Sequence, residues 1–136
     1  MQADLDVTTS LISRIRTLNI STNGIRIIAT LHSKRTPLLV EFRAFKAFLD
    51  AELREFKALT KSAEFYHNFA SDGFAGIDCF QGSHVSVRTY PGLNDIVFDL
   101  FLSCDIPGHE EISDTLYSKT IAFFESRVLS EKIVKG

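Results

Sequence analysis

Proton transfer and nucleophilic attack call for imidazoles, thiols, hydroxyls and carboxylates, and this 136-residue chain spaces them thinly. Its histidines (His32, His67, His84, His109) and its two cysteines (Cys79, Cys104) stand singly along the sequence. None belongs to an H-x-x-x-H pair, a nucleophile elbow or a glycine-rich phosphate loop. No set of ligands has metal-site spacing, and two cysteines cannot build a disulfide framework. A lone strand histidine is more often a satisfied structural group, and a cysteine in an apolar run a small buried hydrophobe. Asp78 and Asp99 are less usual, because a carboxylate inside an apolar run must find partners. The densest chemistry lies in Gly82-Ser83-His84-Val85-Ser86-Val87-Arg88-Thr89-Tyr90-Pro91, followed by Asp99-Leu100-Phe101. Here a serine hydroxyl sits beside a histidine. Arg88 has a planar fork suited to a carboxylate or phosphate, with an Arg88–Asp99 ion pair between neighbouring strands as the competing expectation.

The elements that must carry these groups follow from hydrophobic periodicity. Asp4 to Asn19 places Leu11, Ile12, Ile15 and Leu18 on one helical stripe, and Ile25 to Leu31 reads as a β-branched strand. Thr36-Pro37 predicts a helix start, with Thr36 as N-cap and Pro37 in the first turn. One continuous stripe then runs through Leu38, Phe42, Phe45, Leu49, Leu53 and Phe56. Four short aromatic or β-branched runs, 64–69, 74–80, 84–90 and 96–104, are punctuated by turn residues and predict an antiparallel meander. Pro107 opens a second helix with Glu110 and Glu111 in its first turn, and 127–134 predicts a last strand. The expected architecture is an α+β sandwich, a mostly antiparallel sheet with two amphipathic helices on one face.

Composition bounds the rest. Apolar residues make up 45% and charged residues 24%, and the net charge of −2 shows no basic excess for a nucleic-acid or membrane surface. No apolar run approaches a membrane span and no secretory signal core opens the chain, so a single cytoplasmic domain over 1–136 is expected.

The 82–91 segment resembles the signature of bacterial and archaeal S-adenosylmethionine decarboxylases, which read approximately E-S-H-x-x-x-H-T-W-P-E and then D-x-F-T-C. Upstream, Tyr66-His67-Asn68-Phe69, Gly73 and Gly76 match that family's F-H-x-F-x-x-x-G-x-x-G pattern. Gly24 with Ile27-Ile28-Ala29 is similar to its first strand. The match covers Tyr66 to Phe101 and Gly24 to Leu31; the two helices correspond only in order, and residues 1–20 read as an N-terminal helical extension. The fold it implies is an S-adenosylmethionine decarboxylase-like α/β sandwich.

In that family the chain cuts itself before a serine, which becomes a pyruvoyl group. The pyruvoyl carbonyl forms a Schiff base with the substrate amine and takes up the electrons released with CO₂. The resemblance puts the processing site at Gly82–Ser83, so a pyruvoyl cofactor derives from Ser83 only if self-cleavage occurs. It carries catalytic roles onto Ser83, His84, Arg88 and Ser103, with Cys104 one residue beyond. Ala75 stands where the family has a serine assisting processing. Arg88 stands for the processing histidine and is no base near neutral pH, and Ser103 stands for the proton-donating cysteine. A regular strand turns Cys104 to the face opposite Ser103 unless a bulge intervenes. Phe69 and Tyr90 match the aromatic residues that hold the adenine, whereas Gly92 replaces the acidic residue that binds the ribose. Three readings follow. The first is a divergent relative linked to polyamine (spermidine) biosynthesis that does not self-process and binds or regulates, as a homodimer or paired with an active paralogue. The second is a working pyruvoyl-dependent decarboxylase acting on S-adenosylmethionine. The third is an enzyme of changed specificity in which Arg88 holds an anionic group.

Overall fold

A computed structural model describes residues 23–136; the helix expected over 4–19 lies outside them. The core is one antiparallel sheet of six strands in the order β2-β3-β4-β5-β1-β6. Its strands are β1 (Gly24–His32), β2 (Ala63–Asn68), β3 (Phe74–Phe80), β4 (Ser83–Tyr90), β5 (Asp95–Ser103) and β6 (Arg127–Lys135). The expected meander is β2 to β5, and β1 closes it by pairing with β5 on one side and β6 on the other. Helix α3 (His109–Phe123) carries the chain from β5 to β6, two strands that flank β1 and so run parallel.

Alternation along the strands sorts the side chains into two faces. In β1, Ile25, Ile27, Ala29 and Leu31 are buried; in β5, Ile96, Phe98, Leu100 and Leu102 are buried. The residues between them are half-buried or exposed. The buried set meets the helices: Phe45 stacks on Phe124 at 5.5 Å between centroids and leans on Phe74 at 6.0 Å, and Phe98 stacks on Tyr117 at 5.5 Å. Most of the phenylalanine is therefore core, but Phe65 is 62% exposed on the opposite face, which no described helix covers.

The first helical stretch departs from expectation. It is broken into α1 (Thr36–Val40) and α2 (Phe42–Arg54) by Glu41, which is extended at φ −122° and ψ 112°. The Glu41 carboxylate accepts the Arg43 N–H at 2.9 Å and so caps α2. Thr36 is not the N-cap; Arg35 holds that position, with Pro37 in the first turn where no N–H is needed. The break re-aims α1 so that Leu39, rather than Leu38, is fully buried. The α1 end is pinned to β4 by Thr89, whose hydroxyl donates to the Leu39 carbonyl at 2.6 Å and accepts the Phe74 N–H at 2.9 Å. Among the described residues no helix is long and apolar enough to cross a membrane.

Candidate functional site

The serine-bearing segment starts at a β-hairpin. Phe80 and Ser83 face each other across Gln81-Gly82, and Gly82 takes the left-handed conformation, φ +63°, that closes the turn. From Ser83 onward the period-two pattern is unbroken: Ser83, Val85, Val87 and Thr89 are buried on the helix side, while His84, Ser86 and Arg88 lie on the open face. Ser83 is 6% exposed, and its Oγ accepts the Ser103 N–H at 2.9 Å. Ser83 and His84, adjacent in sequence, therefore leave opposite faces of the sheet.

On the open face, His84 Nε2 stands 3.5 Å from Asp99 Oδ1, and Arg26 Nε approaches the same oxygen at 3.5 Å. The His84 imidazole, helped by Arg26, holds the Asp99 carboxyl below the usual carboxylate range against the opposing effect of burial. The expected Arg88–Asp99 pair does not form. Register is the reason: Asp99 lies opposite Ser86, Arg88 lies opposite Val97, and the nearer Arg26 and His84 take the carboxylate. Arg88 instead lays its guanidinium over Phe69 at 4.2 Å and Tyr90 at 4.5 Å. Its Nη1 donates to the carbonyls of Thr89 at 2.6 Å, Asp72 at 3.1 Å and Phe74 at 3.5 Å. The structure does bring Phe69 and Tyr90 together at one corner, with the chain's own cation against both rings.

The remaining residues are placed as follows. Ala75 is the cross-strand partner of Arg88. Ser103 ends β5, and its Oγ accepts the Asp105 N–H at 3.2 Å. Cys104 falls in the turn beyond the strand, exposed, with its N–H on the Asn23 carbonyl at 3.0 Å, so it is not the buried hydrophobe its apolar run suggests. The β1–β5 register runs without a shift as far as Ser103, so no bulge in β5 brings Cys104 round to the face of Ser103. Gly92 lies in the short 3₁₀ turn Pro91–Leu93 with open space where a side chain would stand.

No protein-family model and no curated protein sequence matches the chain. Among solved structures, the crystal structure of the adenosylmethionine decarboxylase from Aquifex aeolicus VF5 superposes with a TM-score of 0.67. The two chains are 19% identical, and the match covers 85% of this chain and 92% of that one. The fold is that of an adenosylmethionine decarboxylase. Within this adenosylmethionine decarboxylase fold, two glycines of the sequence resemblance have structural reasons. A Cβ on Gly73, at φ +98°, would stand 2.6 Å from the Thr89 carbonyl oxygen, and one on Gly76 would stand 2.4 Å from the Tyr66 ring.

One cluster escaped the reading of spacings. Asp50 of α2, Glu64 of β2 and Asp78 of β3 bring carboxylate oxygens within 4.8 Å of one another. Lys61 Nζ sits among them, at 2.8 Å from Asp50, 2.6 Å from Glu64 and 3.7 Å from Asp78, with Lys46 also on Asp50 at 2.8 Å. Asp78 is wholly buried, neither of its oxygens accepts a hydrogen bond, and burial pushes its carboxyl above the usual range while Lys61 pulls the other way. The three residues come from separate elements, so an aspartate amid apolar neighbours was the one sequence signal.

Proposed function

We propose that this chain is a divergent adenosylmethionine decarboxylase-like protein, related to polyamine biosynthesis, that remains uncut at Gly82–Ser83 and works by binding on its open sheet face. The observation that carries the reading is the setting of Ser83. Its hydroxyl is buried on the helix side and engaged by the Ser103 N–H, while the imidazole of His84 stands on the opposite face against Asp99. Self-cleavage requires Oγ to attack the Gly82 carbonyl and an acid–base group to manage the protons of the ester and its elimination. Arg88, at the family's histidine position, stays protonated near neutral pH and cannot be that base. The aromatic corner speaks for the same reading, since the Arg88 guanidinium lies where Phe69 and Tyr90 would otherwise receive a base. Pairing through the open face, with a second copy or an active paralogue, is the partner arrangement that goes with it.

The second reading, a pyruvoyl-dependent decarboxylase, is favoured by Gly82 itself. A left-handed, side-chain-free residue in a hairpin turn directly before the serine gives the scissile carbonyl room to move. Intact mass of the purified protein separates the two. A single full-length species that persists over days is expected; fragments 1–82 and 83–136 that disappear in Ser83→Ala would establish the decarboxylase reading instead. Calorimetric titration with S-adenosylmethionine then tests the binding role.

A further inference from the structure

Arg88 makes no ion pair among the described residues. Its charge meets three backbone oxygens, all through Nη1, and the faces of two rings; Nε and Nη2 make no hydrogen bond among the described residues. Rings and carbonyls together hold the guanidinium in place, so little side-chain freedom is left to lose on binding. Beside it on the open face lies a depression of about 310 Å³, whose lining includes Phe65, Ala75, Ile77, Ser86, Arg88 and Val97. Its one carboxylate, Asp99, already faces Arg26 and His84. The same face carries His67 on β2 and Lys132 on β6, placed there by their register partners Ala75 and Ile28, while Asp95 at the far end of β5 is held by His32. Arg88 and Arg26 thus stand against the single carboxylate of the lining.

We propose that Arg88 anchors a small organic carboxylate in this depression, with the apolar body of the ligand against Phe65, Ile77 and Val97. The Ser86 hydroxyl already donates to the Asp99 carbonyl at 3.4 Å, so among the lining residues the open donors are those of Arg88 at Nε and Nη2, a single planar fork that suits the two oxygens of a carboxylate. The site rests on the open-face binding reading and names the ligand class for it, but not on whether the chain is cut, because Arg88 and the depression lie on the face opposite Ser83.

The test is an amide-shift titration of the isotope-labelled full chain with 3-phenylpropionate, and with neutral 3-phenylpropionamide at matched ionic strength. Saturable shifts are expected at Ala75, Ile77, Ser86 and Val97. Both the amide ligand and the Arg88→Gln variant should weaken binding by about tenfold or more, the scale of a charge-assisted bidentate contact. Phe65→Ala removes an exposed ring and should weaken binding severalfold without disturbing the core, which keeps the test open if Arg88→Gln does not fold. Equal affinity for acid and amide, undiminished binding by a folded Arg88→Gln, or no open-face shifts up to about 20 mM ligand would each overturn the proposal. Its failure leaves the intact-mass result untouched, and the reverse holds as well.

Discussion

Ser83 Oγ accepts the backbone N–H of Ser103 at 2.9 Å, tying the first residue of β4 to the last residue of β5. The hydroxyl that resembles a processing nucleophile thus closes the end of a strand pair. Ser83→Ala should leave that half-buried N–H without its acceptor and cost about 1 kcal/mol. Urea unfolding of the variant measures it. Unchanged stability would mean that the bond contributes nothing and that the serine is free for other chemistry.

Thr89 holds α1 against the sheet through a fully buried hydroxyl that bonds both Leu39 and Phe74. Thr89→Val keeps the shape but strands a buried N–H and a buried carbonyl, so a loss of about 2–4 kcal/mol is expected. The loss should appear in equilibrium melts with little change in the denaturant slope.

Gly73 packs its backbone against Thr89 and Pro91 at a positive φ. In Gly73→Ala the added methyl meets a backbone carbonyl that cannot swing aside, and destabilisation by about 2–4 kcal/mol should follow. Gly76→Ala meets the Tyr66 ring, which can tilt, so its cost should be smaller, about 1–2 kcal/mol. A reversed order in thermal melts would contradict this packing.

Asp78 carries a folded-state pKa raised by burial, so its contribution favours the fold below the unfolded carboxylate pKa and fades as pH rises through the folded value. At neutral pH, well above the unfolded carboxylate pKa, the raised folded pKa therefore weighs against folding. Lys61 keeps Asp50 and Glu64 as partners when Asp78 is neutralised. Asp78→Asn should raise Tm at pH 7 by about 3 °C, and the gain should vanish near pH 4. A lower Tm at pH 7 would show that the Lys61 contact outweighs the cost of burial.

Much of the fold was legible in the chain. The aromatic and β-branched runs 64–69, 74–80, 84–90 and 96–104, set apart by turn residues, marked the meander, and alternation in β3, β4 and β5 follows because a sheet with one covered face must place every second side chain in the core. The phenylalanine stripe marked α2, and the glycine spacing around 73–76 carried the resemblance to the fold that the superposition bears out. Glu41 was not legible as a break. Its position continues a helical pattern, and only its carboxylate capping the Arg43 N–H makes two helices of one.

The site divides along the same line. By itself the sequence determined which groups exist near the hairpin and, through the period of two, that Ser83 and His84 cannot share a face in a regular strand. Which face is covered, and which partner each charge finds, depended on the assembled sheet. Cross-strand register set Asp99 opposite Ser86 and within reach of His84 and Arg26, and left Arg88 to the rings of Phe69 and Tyr90. Electrostatic partnership falls off over a few ångströms. Residues brought that close from separate strands are joined by pairing, not by spacing along the chain.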